Sequence, residues 1–374
     1  MDSDFKSHLV SLLRLAVTTA AIAWVFLKIN WRDQVQLADG TVLRGQVTAE
    51  PDRFVVITPG GRIHLVPRDE TSGESAFQPG FLTLFKDIRV VYLLMGLVVY
   101  PLANVLGAVR WRELMRAHQM DLGFSKSLQL TWLGFFWSLV FPGVTGGDVV
   151  KAYCVARTAE NRAVAVLIVF LDRIIGLIGL AVLSGVVILF NLHNQELRTV
   201  SSGILIFILA MVGGGVLFFS RRLRRWLGLD WLIGLLPFQA RVSQLDDALF
   251  EYRYHKKTIL TALLLSLAAH VANVGTFYLA GKALRLPVAW QHYFVFIPVM
   301  LMVAALPISV GGLGVLESGV THFLTLAAVG ASANGALALC LLYRVMTVFI
   351  GLPGAMVTTE ERAEDRTPQA EIRY

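Results

Sequence analysis

Charge is scarce in this chain. Only 16% of its 374 residues are Asp, Glu, Lys or Arg, where a soluble domain carries about a quarter. Cysteine is nearly absent. Cys154 and Cys340 stand far apart, with neither CxxC nor Cys/His spacing, which excludes a zinc site and a disulfide framework. HExxH, Gly-x-Ser-x-Gly and Walker motifs are also missing, and Asp246-Asp247 lacks the Asp-x-Asp spacing used for metal–nucleotide binding. The sequence therefore predicts no metal and no cofactor. What fills the chain is apolar: 56% of residues are hydrophobic and the mean hydropathy is +0.64. They gather in blocks of about twenty residues, the length that matches a hydrocarbon core of ~30 Å at 1.5 Å per residue. That pattern predicts a polytopic all-α membrane protein and excludes a free cytosolic enzyme or a nucleic-acid-binding domain. The net charge of +7 is then loop charge facing anionic lipid.

The apolar blocks fall at residues 9–29, 88–109, 128–141, 163–190, 204–220, 258–280, 293–306, 315–329 and 336–357. The first is longer than a signal-peptide core and has no small-residue cleavage pattern behind it, so it reads as an anchor. Loops 110–127, 151–162 and 221–257 hold fifteen Lys and Arg, against three (Arg198, Lys282 and Arg285) in loops 191–200, 281–291 and 330–335. By the positive-inside rule the first set is cytoplasmic, both termini are inside, and the protein sits in the cytoplasmic membrane. Segment 128–150 then has both flanks inside, and segment 293–329 both outside. Neither can cross once, so each is expected to be a re-entrant hairpin. The expected architecture is six spans plus two opposed hairpins, with the membrane domain over 1–30 and 81–358 and a cytoplasmic tail over 359–374. The basic start of loop 221–257, beside Trp and Leu, fits an interfacial helix on the inner leaflet or a topology determinant alone.

Residues 31–80 differ from the rest. Short β-branched runs at 41–48, 54–58 and 62–66 are separated by Asp39-Gly40, Pro51-Asp52 and Gly60-Gly61, which are hairpin signals. They predict a small inserted β-module on the outward side, with 71–80 as its linker. A segment this short is marginal by itself and is expected to lean on the membrane domain. It could dock an extracytoplasmic partner or be a decorative insertion.

Two helix-breaking motifs share one spacing. Phe-Pro-Gly-Val-Thr-Gly-Gly-Asp (141–148) contains Pro142, Gly146 and Gly147; Leu-Pro-Ile-Ser-Val-Gly-Gly-Leu (306–313) contains Pro307, Gly311 and Gly312. Pro removes an amide donor and Gly frees the backbone, and the released polar groups must be buried in protein or line a wet cavity. After each break comes a helix with an interior arginine, Arg173 beside Asp172 in one and Arg344 beside Tyr343 in the other. Opposed hairpins with the same order of features predict an inverted repeat and a site near the midplane. Intramembrane charges are costly and face a polar interior. Asp148, Lys151, Arg173, Glu317 and Arg344 are therefore the candidate head-group residues, with Asp148 and Glu317 as candidate partners for the charges at 172–173. The same residues could instead form ion pairs that lock the hairpins. Lys151 shares a face with Asp148 and could hold a head group or mark the inner boundary. His270 and Asn273 share a helix face and suit a helix–helix hydrogen bond or a proton relay.

The run 141–153, Leu-Asp-Arg-Ile-Ile-Gly (171–176), Pro-Ile-Ser-Val-Gly-Gly-Leu-Gly-Val-Leu-Glu (307–317) and the Arg110-Trp111-Arg112 stretch together resemble the lysylphosphatidylglycerol synthase/flippase transmembrane family. The resemblance covers most of the chain outside 31–80. It implies an integral membrane protein that moves or handles lipid head groups, with a membrane phospholipid as its partner and Arg110, Arg112 and Asp172 in support; His270 and Asn273 join them by their shared helix face. In the family's best-understood members this domain flips aminoacylated phosphatidylglycerol, and a soluble synthase domain fused after it makes the lipid. Only residues 358–374 follow the last apolar block, which predicts a chain without that domain. Lys151 stands where the family pattern often has Arg. Three functions compete: a lipid flippase, a membrane-bound transferase acting on a lipid-linked carrier, and a non-transporting scaffold.

Overall fold

The computed structural model describes residues 29–71, 76–140, 146–159, 161–191, 202–210, 255–306, 312–326 and 329–357, with a few isolated positions. Within these, after a short helix α1 (Phe81–Lys86), four helices are long and apolar enough to cross a membrane: α2 (Val90–Arg116), α5 (Arg162–Phe190), α6 (Lys256–Ala283) and α9 (Ala333–Gly351, continuing past Leu352 to Val357). They answer to the apolar blocks at 88–109, 163–190, 258–280 and 336–357. The blocks at 9–29 and 204–220, the basic loop 221–254 and the tail lie wholly or mostly outside the described residues. Leu94, Val98, Phe170, Leu264, Val345 and Phe349 are exposed on these helices, an apolar surface that water would penalise and lipid would not.

Local sequence sets the helix starts. Asn161 accepts the Val164 N–H at the head of α5, and Ser332 accepts the Gly335 N–H at the head of α9, each replacing a hydrogen bond that the first turn lacks. Pro101 lies inside α2 and has no N–H to offer the Leu97 carbonyl. Helices α2 and α6 are antiparallel neighbours: Gly96 faces Thr276, while Arg110 reaches Ser266.

Four shorter helices form two pairs. In the first, α3 (Gly123–Val140) packs on α4 (Gly146–Thr158). Gly147 fits against the Gly134 carbonyl and the Ser138 hydroxyl, while Gly134 also faces Lys151, which is antiparallel register. In the second, α7 (Trp290–Ala305) packs on α8 (Val315–Leu324). Gly319 meets the Met300 sulfur, and Phe323 stacks on Phe296 at 4.8 Å. The first pair follows the C-terminal end of α2, and the second follows the C-terminal end of α6. Because α2 and α6 are antiparallel, the two pairs enter from opposite ends.

The equal spacing of the Gly pairs conceals different uses. Gly146 and Gly147 open α4, and at Gly147 the Gly134 carbonyl occupies the place of a side chain. Gly312 and Gly314 instead take φ of 71° and 81°, left-handed turns that glycine tolerates. Gly314 then caps α8, its N–H donating to Glu317 Oε2 at 2.6 Å. Pro142, Pro307 and Gly311 lie outside the described residues.

The β-rich segment is a five-stranded antiparallel sheet in the order β4-β3-β2-β1-β5. Its strands are β1 (Asp33–Gln36), β2 (Val42–Ala49), β3 (Arg53–Ile57), β4 (Ile63–Pro67) and β5 (Phe77–Gln78). The alternation puts Val35, Phe54, Val56 and Val66 inside. A five-residue strand at each of β3 and β4 agrees with the hairpin signals; β1 and β5 were not legible. Both ends of the segment meet one side chain. Asn334, at the start of α9, accepts the Asn30 N–H and donates to the carbonyls of Asn30 and Pro79. Asp33 fastens the neck again by accepting the Gly80 N–H at 2.6 Å.

Candidate functional site

Halfway along the long helices lies a cavity of about 320 Å³. Tyr100, Asn104 and Arg110 reach it from α2, Asp172 and Arg173 from α5, His270 and Asn273 from α6, and Tyr343 and Arg344 from α9. The inner ends of both short pairs complete it. Ser138, Leu139, Asp148 and Lys151 come from the first, and Ala304 and Leu316 from the second. Eight of the ten charged and polar residues singled out in the sequence thus share one space; Glu317 and Arg112 do not line it.

Its charges form three connected groups. Arg110 Nε donates to Asp172 Oδ1 at 2.7 Å, and Lys151 Nζ lies 3.9 Å from Asp172 Oδ2, so two cations share one carboxylate. Lys151 is 5% exposed, with Nζ 3.7 Å from the centroid of the buried Trp111 ring, a cation–π contact that helps offset its desolvation. Arg173 Nη1 lies 3.4 Å from Asp148 Oδ2. Arg344 Nε donates to Glu317 Oε1 at 2.8 Å. Four cations therefore face three carboxylates, leaving one positive charge unbalanced among the described residues. In a low-dielectric interior an unbalanced charge attracts an anion strongly.

The chemistry follows from which groups are committed. Glu317 is fully used, holding Arg344 with one oxygen and the Gly314 N–H with the other, so it serves as a cap as well as a counter-ion. The Arg173–Asp148 pair is longer and more open, with side chains 27% and 34% exposed. It is the pair that a ligand could most easily enter. His270 Nε2 lies 2.9 Å from the Gly176 carbonyl, and Ser266 bridges Arg110 to the Ile175 carbonyl; both tie α6 to α5. Tyr343 donates to Asn273 at 2.9 Å and meets the Tyr100 hydroxyl at 3.1 Å. Of the two carboxylates expected to meet the charges at 172–173, Asp148 meets Arg173, Glu317 meets Arg344 instead, and Asp172 pairs with Arg110.

Arg112 is elsewhere. Two positions from Arg110, it points to another helix face and pairs with Asp121 at 3.0 Å in the loop after α2. There the Arg112 guanidinium, and then the Gly123 N–H, hold the Asp121 carboxyl below the ordinary carboxylate range. Sequence reasoning missed Asn104, Tyr100 and Trp111. A lone amide in the apolar run around Asn104 was a signal that could have found the first.

The family described as "Lysylphosphatidylglycerol synthase TM region" matches residues 79–354, which takes in every helix that builds the cavity. The chain belongs to that family. A relative, described as a UPF0104 membrane protein of Pyrococcus horikoshii, is 28% identical over 138 residues, or 35% of this chain and 41% of that protein. The chain thus spans less than half the length of the relative it matches. Membership makes this a membrane protein with a family match across the helical region and a sheet segment that precedes the match.

Proposed function

We propose that this protein is a lipid transporter that binds an anionic or modified phospholipid head group in the mid-helix cavity and carries it across the cytoplasmic membrane. In this reading six helices span the bilayer, the α3–α4 and α7–α8 pairs are re-entrant hairpins of an inverted repeat, and both termini are cytoplasmic. The observation that carries it is the meeting of the inner ends of both short helix pairs at one cavity where four cations face three carboxylates among the described residues. Transport sites of repeat-built carriers occupy this position, between discontinuous elements at the bilayer centre. Charges so placed are expensive unless they serve a pathway or one another. The family name points to the same class of lipid, and lysylphosphatidylglycerol is one candidate cargo.

The test is translocation in proteoliposomes, read by quenching of a head-group-labelled anionic phospholipid from the outer leaflet. Protein-containing vesicles should expose their inner-leaflet label faster than protein-free vesicles, and Arg173→Gln should remove the difference. Equal rates with and without the wild-type protein would overturn the proposal.

A further inference from the structure

Two buried donors that line the cavity, Nδ2 of Asn104 on α2 and Nη2 of Arg173 on α5, have no hydrogen-bond partner among the described residues. A buried donor left unpaired is costly, and its retention calls for an explanation. Arg173 cannot be explained by its ion pair alone, because Nη1 serves Asp148 and Nη2 is left over. Asn104 lies one helical turn from Gly107 and two from Arg110 or Trp111, on the α2 face that forms the cavity wall. An amide and a guanidinium on facing helices suit the two non-bridging oxygens of a phosphate group, the guanidinium supplying charge and the amide direction.

Resting on the head-group reading above, we infer that Asn104 and Arg173 Nη2 are the donors that hold the phosphate, and that the group they hold is a singly charged phosphodiester. The charge count sets the second part. Among the described residues, four cations against three carboxylates leave one charge to be met, which a phosphodiester supplies. Asn104 positions the phosphate and carries no charge, so its loss weakens binding without rearranging the ion pairs. Arg173→Lys is the matching variant: it keeps a cation beside Asp148 and removes the second nitrogen.

The test uses the purified full chain in detergent and reads the rise in melting temperature against concentration. The probes are dioctanoyl phosphatidylglycerol, the chain-free phosphodiester glycerophosphoglycerol, and dioctanoylglycerol, which has no phosphate. Wild type should be stabilised by both phosphodiesters. Asn104→Ala, Asn104→Asp and Arg173→Lys should fold, and should need about tenfold more of either phosphodiester for the same shift. Any shift with dioctanoylglycerol should be the same in all four proteins. Wild-type affinity in the Asn104 variants would overturn the phosphate assignment and leave the head-group cavity standing. A wild type that responds to neither phosphodiester would overturn both. A response to glycerophosphoglycerol without one to the lipid would keep the phosphate site and remove the lipid. Failure of both Asn104 variants to fold would make Asn104 structural and overturn the assignment.

Discussion

The Arg110 guanidinium meets the Asp172 carboxylate at 2.7 Å and so joins the C-terminal part of α2 to α5. Both side chains are about one-tenth exposed, and Lys151 leans on the same carboxylate. This is the most enclosed of the cavity's ion pairs involving α2, and its logic is structural. Removing Asp172 leaves the Arg110 and Lys151 charges buried without their shared carboxylate, at a cost of about 3–5 kcal/mol. Asp172→Leu should therefore lower the melting temperature in detergent sharply. Adding Arg110→Met should recover part of the loss, since Lys151 alone is then left without the carboxylate. A double variant no more stable than the single one would contradict this account.

The α3–α4 pair depends on two glycines in contact. A methyl group at Gly147 would collide with the Gly134 carbonyl and the Ser138 hydroxyl, and backbone yields less readily than a flexible side chain. Gly147→Ala should cost on the order of 1–3 kcal/mol, as overpacking does. Gly107→Ala, where nothing lies within 4 Å, should leave stability unchanged or slightly raised, since Ala favours a helix over Gly. Thermal unfolding of the two variants side by side checks this, and equal melting temperatures would refute it.

How far the site could be read beforehand depended on the kind of contact. Adjacent residues on a helix point apart, so Asp172 and Arg173 had to find different partners; of the two carboxylates expected there, Asp148 meets Arg173, whereas Glu317 meets Arg344. The Arg110–Asp172 pair left no such signal, because Arg110 resembled a loop charge at the end of an apolar run. Only the length of α2, which extends to Arg116, brings it inside. The Lys151–Trp111 contact joins α4 to α2 and leaves no local pattern. The strands show the same division. Alternation marks β2, β3 and β4, whereas Asp33-Gln-Val-Gln36 is polar and becomes a strand through pairing with β2 on one side and β5 on the other.

Asn334 holds both ends of the sheet segment, accepting one hydrogen bond and donating two while 4% exposed. Asn334→Ala deletes all three and leaves the Asn30 and Pro79 groups unsatisfied, a loss of about 1–3 kcal/mol for a buried polar group. The loosening should be local. Hydrogen exchange at Asn30 and Phe81, the latter donating to the Asn30 carbonyl, should quicken, while amides in the middle of α6 stay protected. Uniform quickening across both would mean that the neck supports the whole fold.

Orientation has a direct chemical test. In a background lacking Cys154 and Cys340, Thr41→Cys lies exposed in the turn before β2, and Ser125→Cys lies exposed near the start of α3, at the opposite end of the molecule. If the loops rich in Lys and Arg face the cytoplasm, an impermeant maleimide applied to intact cells should label Thr41→Cys. Ser125→Cys should react only after permeabilisation. The reverse pattern would invert the proposed topology and the direction of both hairpins.

Arg173 and Arg344 occupy matching places in the order of features but not in their surroundings. Arg344 is 20% exposed and its partner 9%, and that partner also caps α8 through Gly314. Arg173 and Asp148 are more open to the cavity and 3.4 Å apart. Stability should therefore depend more on Arg344, and translocation more on Arg173. Arg344→Met should lower the melting temperature more than Arg173→Met, and combining it with Glu317→Gln should restore part of the loss, because the amide oxygen of Gln can still accept the Gly314 N–H. Combining Arg173→Met with Asp148→Asn should give a stable protein that still fails to move a head-group-labelled anionic lipid. Recovery of translocation in that stable double variant would reduce Arg173 to a strut and take the head-group role from this half of the cavity.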